Sequence, residues 1–303
     1  MKHTTKLWAL MAVVMSCVAC KAQPKAPKLA VNKDENTLFW EVSGNGLKAP
    51  SYVYGTFHML CPDDIVFSDA VKKAVKFSKE LYLELPLDDA AGMLAVMDKM
   101  MMKDGKQLKD FYTPEQYDRV KKFFKDSLNT GIGMMERMIP AMAGVMIYPK
   151  MLGCKINGGT ETGLAKLMKA DKKPVKGLET FEFQLSMFNS IPYEEQAKEL
   201  LKNVEEFTKS KWQADSLLKA YKSQRITEME KGFSNTEFGM AENLETFLYK
   251  RNENWAVQLP PLMKQQSLFI AVGTGHLVGK RGLINLLRKA GYTLKPLVND
   301  VYK

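Results

Sequence analysis

YVYGTFHML at residues 52–60 and FIAVGTGHLVG at residues 269–279 decide the fold. Each is an apolar run rich in β-branched and aromatic residues that stops at Gly-Thr-x-His, which reads as a strand running into a turn. After the first turn Ser68 can cap a helix with Ala70, Val71, Ala74, Val75 and Phe77 on one face, and LYLEL at 81–85 then reads as a buried strand. After the second turn come a helix near 282–290 and the strand YTLKPL at 292–297. Strand, Gly-Thr-x-His, helix, strand is thus written twice, once near each end of the chain. The expected fold is α/β: a mixed, partly parallel central sheet built from the two halves, with a large helical insertion between them.

TLFWE at 37–41 and SYVY at 51–54, with Gly44, Gly46 and Pro50 between them, predict an opening hairpin. From about 88 to 156 helical periodicity dominates, and Thr113-Pro114-Glu115-Gln116 supplies an N-cap, a first-turn proline and a capping-box partner. A helix near 161–170, a short strand at 174–177, a helix from about Glu179 and long helices over 192–264 complete the middle of the chain. Met134, Met138, Met142 and Met146, at successive fourth positions, predict a thioether-lined helix face, suited to core packing or to an adaptable groove for a peptide or lipid.

Residues 1–20 have a basic start at Lys2 and Lys6 and an apolar run from Leu7 to Val18, which reads as an export signal too short to span a bilayer. Val18-Ala19-Cys20 resembles a lipobox, so the expectation is either lipidation at Cys20 or ordinary cleavage near Ala22-Gln23, in an exported protein of the periplasm, outer membrane or cell surface. Residues 21–36, rich in Pro, Ala and Lys, read as a flexible tether, with a single folded domain over 37–303. Losing residues 1–20 removes two of 44 basic side chains and none of 34 acidic ones, so the mature chain stays basic at +8. Its lysines alternate with acids rather than forming a stripe interleaved with aromatics, which argues against a nucleic-acid partner. Cys61 and Cys154 are the cysteines left beyond the signal, and an oxidising compartment would allow them to pair.

Apart from His3 in the signal, His58 and His276 are the chain's only histidines, and both occupy the same place in the repeated turn. Functional groups of parallel α/β units gather beyond the carboxyl ends of the strands, so the two imidazoles are expected across one cleft. Gly55 and Gly273 suit a sharp turn with room for a ligand, and Thr56 and Thr274 suit local hydrogen bonds within it. Glu84, among Leu81, Leu83, Leu85 and Leu87, is a carboxylate that burial would penalise unless it is paired, and it is the natural third member of the site.

The two Gly-x-x-His motifs, the strand bearing Glu84, Gly177-Leu178-Glu179-Thr180 and Arg251-Asn252 before Trp255 together resemble the TraB/GumN family, over about residues 37–298. That family is related to the Tiki metal-dependent proteases, to erythromycin-esterase-like hydrolases and to haem-binding ChaN proteins. The resemblance implies a hydrolase-type site with His58, Glu84 and His276 at its centre, Arg251 as an anion or oxyanion contact, and Glu179 as a further member. One departure is Glu161, in GGTETGLAKL, where relatives often carry aspartate and where a helix cap is the simplest role.

Two mechanisms follow from this set. Either His58, Glu84 and His276 hold a divalent ion (zinc, manganese or iron) that activates water, or one histidine is the general base and the other, or Arg251, stabilises the oxyanion. The substrate would be a peptide or a small ester or amide. The rival readings are haem or metal binding without turnover, with the histidines as axial ligands, and a non-catalytic envelope binding module.

Overall fold

The computed structural model describes residues 25–155, 158–235 and 243–302. The export signal and Cys20 lie outside the described residues. Strands β1 (Phe39–Ser43) and β2 (Ser51–Thr56) form the expected antiparallel hairpin. With β3 (Glu80–Leu83), β4 (Val175–Gly177), β5 (Leu268–Gly273) and β6 (Thr293–Pro296) they make one sheet in the order β4-β3-β5-β2-β1-β6. The run β4-β3-β5-β2 is parallel, and β1 and β6 close the other edge antiparallel. The sheet is therefore the mixed, partly parallel one that the repeated motif implies.

β2 and β5, the two strands that end in Gly-Thr-x-His, are direct parallel neighbours, with Thr56 opposite Gly273. Parallel strands point their carboxyl ends the same way, so both turns leave the sheet at one edge. β3 pairs with the other side of β5 and delivers Glu84 to that edge. The strand stops at Leu83 rather than continuing to Leu85, because Pro86 has no N–H to extend the ladder. The backbone carbonyls of Leu83 and Glu84 instead accept from the amides of Leu178 and Glu179.

Helix α1 (Asp69–Phe77) starts where Ser68 Oγ accepts from the Val71 amide at 3.3 Å. The insertion holds α2 (Ala90–Ala95), α3 (Pro114–Leu128), α4 (Pro140–Val145) and α5 (Tyr148–Leu152). Thr113 and Gln116 form the reciprocal capping box of α3. The regular methionine face does not form. Gly133–Arg137 is a short 3-10 turn, Met138 is extended and bridges to Met101, and the α-helix starts only at Pro140. Helix α6 (Gly159–Ala170) returns to the sheet, burying Leu164 and Met168 in its core. Then follow α7 (Phe181–Asn189), α8 (Tyr193–Glu205), α9 (Phe207–Lys222), α10 (Ile226–Asn235), α11 (Lys250–Gln265) and α12 (Leu283–Lys289).

Two apolar cores result. One lies on the sheet, around Trp40, Tyr54, Phe269 and Trp255. The other joins the insertion, through Val120, Phe124 and Ile139, to Leu185, Leu200 and Ala214 of α7, α8 and α9. Cys61, just past the first turn, is disulfide-bonded to Cys154, just before α6. The segment before β1 is not wholly a tether. Val31 bridges Leu297, and the Val298 amide donates to Ala30, so ordered pairing begins ahead of Thr37, on the free edge of β6. Among the described residues no helix is long and apolar enough to cross a membrane.

Candidate active site

Three chain segments meet at the carboxyl edge of the sheet. Thr274 Oγ1 donates to the Thr56 carbonyl at 3.0 Å, so the second turn is tied directly to the first. The glycines serve close approach rather than unusual backbone angles. A β-carbon on Gly55 would sit 2.8 Å from Thr274 Oγ1, and one on Gly273 would sit 3.1 Å from Glu84 Oε1. The room that Gly273 leaves is thus taken by a carboxylate, which also accepts the Gly273 amide at 2.7 Å.

Glu84 is the hub. Its Oε1 lies 3.6 Å from His58 Nε2 and 3.7 Å from His276 Nε2, and its Oε2 accepts from Arg251 Nη2 at 2.6 Å. Burial works to raise the Glu84 pKa, but His58 and the Arg251 charge outweigh it and hold the carboxyl well below its ordinary range. Arg251, itself buried, is clamped by Glu179 through Nε (3.0 and 3.1 Å) and Nη2 (2.8 Å). Its Nη1 reaches the Phe247 carbonyl at 2.9 Å, within the π-helical turn Glu245–Tyr249 that precedes α11. Trp255, one turn along α11, underlies both partners, with its ring 4.9 Å from the Arg251 guanidinium carbon and 4.5 Å from the His276 ring.

The two histidines are not equivalent. His276 is buried, and its tautomer is fixed by a chain of bonds. Asn252 Nδ2 donates to the Arg281 carbonyl at 2.9 Å, which turns Asn252 Oδ1 toward His276 Nδ1 at 2.6 Å. Nδ1 therefore carries the proton, and Nε2 accepts from Arg251 Nη1 at 3.0 Å. Burial, helped by the Arg251 charge, pushes the His276 pKa down to about 3, so the ring is neutral. The His58 side chain is 57% exposed. Its Nδ1 lies 2.6 Å from Glu161 Oε1, and the charge of Glu161, with a smaller contribution from Glu84, holds the imidazole well above its ordinary pKa despite opposing desolvation; solvent weakens both.

The structure brings together all five side chains singled out from the sequence: His58, Glu84, Glu179, Arg251 and His276. Sequence reading gave no such role to Glu161, Asn252 and Gln184, nor to Gly159 and Thr160 beside Glu161. Glu161 is not simply a cap, since it is buried in the first turn of α6 and faces His58. Thr160 Oγ1 accepts the Phe57 amide at 3.0 Å, and Gly159, at φ +59°, passes so close that a β-carbon would lie 2.2 Å from the Phe57 carbonyl oxygen. Asn252 orients His276, and Gln184 Nε2 donates to Glu179 at 3.0 Å and to Glu84 at 3.4 Å. Glu161 and Asn252 lie within stretches that the family resemblance already picked out, though without these roles, and nothing in the sequence marked Gln184. Beside the site, a cavity of about 350 Å³ is lined by Leu244, Leu248, Tyr249, Gly275 and Val278, among others.

As a donor set, two imidazoles with their outer nitrogens anchored and a carboxylate between them suit a divalent ion. As placed, they do not fit one. An imidazole Nε2 has a single lone pair, and Arg251 uses that of His276. Among the described residues no three His, Cys, Asp or Glu side chains are gathered for coordination. Both ring nitrogens of His276 are engaged, so axial ligation of haem by the histidine pair finds no support either.

Residues 38–296 match the TraB/PrgY/gumN family. Metalloprotease TIKI1 of Danio rerio is 24% identical over 319 aligned positions, covering 86% of this chain and 63% of the relative. Metalloprotease TIKI2 of Xenopus tropicalis is 24% identical, covering 87% and 60%, and metalloprotease TIKI1 of Homo sapiens is 21% identical, covering 91% and 64%. The chain thus spans about three fifths of the length of the curated relatives it matches. No solved structure matches it.

Proposed function

Because the chain belongs to the TraB/PrgY/gumN family, we propose that it is an exported peptide-bond hydrolase working through His58, Glu84, Glu179, Arg251 and His276. The observation that carries this reading is the meeting of two imidazoles, from opposite ends of the chain, at one buried carboxylate and one buried guanidinium, with only His58 open to solvent. A substrate arriving from solution meets His58 first. In its neutral form His58 takes the proton of the attacking water and returns it to the leaving amine, while Glu161 at Nδ1 favours the imidazolium formed in between. Glu84 orients the His58 Nε2 side, and Arg251, fixed in place by Glu179, keeps Glu84 ionised for that task.

The relatives are named metalloproteases, which favours a peptide over a small ester or amide. The cavity beside Gly275 would seat an apolar side chain next to the scissile bond. Export is supported by the signal-like residues 1–20 and by a disulfide suited to an oxidising compartment, and a lipid on Cys20 would hold the protein at the membrane. The mass of the mature N-terminal peptide checks the anchor, since an unmodified terminus at or beyond Cys20 would refute it.

The test of activity is digestion of a mixed peptide library by the mature protein, with the products read by mass spectrometry. Cleavage with apolar residues beside the cut is expected, falling about a hundredfold or more in His58→Ala, as loss of a general acid-base group does. Equal products from the wild type and His58→Ala would refute the assignment.

A further inference from the structure

The clash between the donor set and its arrangement has a specific author: one guanidinium. We infer that Arg251 and a divalent cation exclude one another from the same position, so that the guanidinium, as placed, keeps His276 and Glu84 from an ion. His276 Nε2 and Glu84 Oε2 are both bonded to this one side chain, at 3.0 and 2.6 Å. The outer nitrogen of His276 is anchored on Asn252, as it would be behind a metal ligand, and that of His58 faces Glu161. The one feature foreign to an ion site is the positive charge already standing in it.

The electrostatics point the same way. Glu84 and Glu179 are both buried, and Arg251 is the cation bonded to both. Removing the guanidinium leaves two buried carboxylates and a neutral imidazole with a free lone pair, a set that a divalent cation satisfies far better than water does. The contacts to Glu179, the Phe247 carbonyl and Trp255 show how firmly the position is held.

The inference concerns ion binding and is tested without turnover, so it can fail while the hydrolase reading stands, and the reverse. Mature protein stripped with chelator is titrated with Co²⁺, followed by its visible absorption, and with Zn²⁺ by calorimetry. Arg251→Ala should bind at least tenfold more tightly than the wild type, and adding His276→Ala to it should abolish the gain. Because Arg251→Ala leaves buried charges, Arg251→Gln, which keeps hydrogen bonding without the charge, is titrated in parallel. Co²⁺-dependent recovery of the native circular dichroism spectrum by either variant also supports the inference. Wild-type binding as tight as that of the folded variants, or a gain that survives His276→Ala, would overturn it, as would failure of Arg251→Gln to bind while folded.

Discussion

At the scale of single residues, the site separates two chemically identical side chains. His276 is kept neutral by burial and the Arg251 charge, with Asn252 and Arg251 each bonded to one ring nitrogen, while His58 faces water with a carboxylate behind it. With His3 the only other histidine of the chain, both rings can be followed by NMR in a protein lacking residues 1–20. His58 should titrate above 6.5 and fall toward its ordinary value in Glu161→Gln, whereas His276 should not titrate near neutrality. An unchanged His58 titration in the variant would remove Glu161 from the site. The same directions set a stability profile. His276 binds its proton only near 3 when folded but at 6.5 when unfolded, so the unfolded state gains protons and stability falls as pH drops between these values, by about 1.4 kcal/mol per unit at most. The raised His58 contributes stability that is complete below 6.5 and lost as pH rises through its folded pKa. Denaturant midpoints should therefore peak near 6.5, and His276→Gln should flatten the acid limb. A His276→Gln acid limb as steep as that of the wild type would remove His276 as its source. The histidines and Glu84 were legible in the sequence because each breaks a pattern: a repeated turn, or a charge among leucines. Asn252 and Gln184 break none, since their roles depend on which helix faces the sheet edge.

At the scale of elements, the N-terminus of α6 is shaped around the first turn. Gly159 passes beneath Phe57, Thr160 holds the Phe57 amide, Glu161 meets His58, and the Cys61–Cys154 bond ties the two approaching loops together. That bond closes a sequence separation of 93 residues, a loop long enough for its removal to cost about 2–4 kcal/mol. Cys61→Ser with Cys154→Ser should lower the melting temperature and broaden the His58 NMR signal, while leaving the His276 signal, anchored on α11, in place. Equal effects on both rings would mean that the bond supports the sheet as a whole. The strands, the cap of α1 and the capping box of α3 were readable because their signals are local. The methionine stripe is broken because its spacing runs through Pro140, which starts a new helix and holds Ile139 before it out of the helical conformation.

At the scale of the whole molecule, the repeated strand-turn-helix-strand reading gave the sheet, since two parallel strands of one kind most simply lie side by side. The division into two cores was not readable, because the second is assembled from segments on both sides of α6 and depends on packing alone. Both cores depend on closure of the sheet between segments far apart in the chain. β1 pairs with β6, β2 pairs with β5, and the two histidines come together across more than two hundred residues. Such long-range pairing is slow to form. It also has a meaning during biosynthesis: a nascent chain still emerging from the ribosome carries His58 and Glu84 without their counterparts. The site stays incomplete until β5 and the turn beyond it have emerged, so it assembles only late in synthesis.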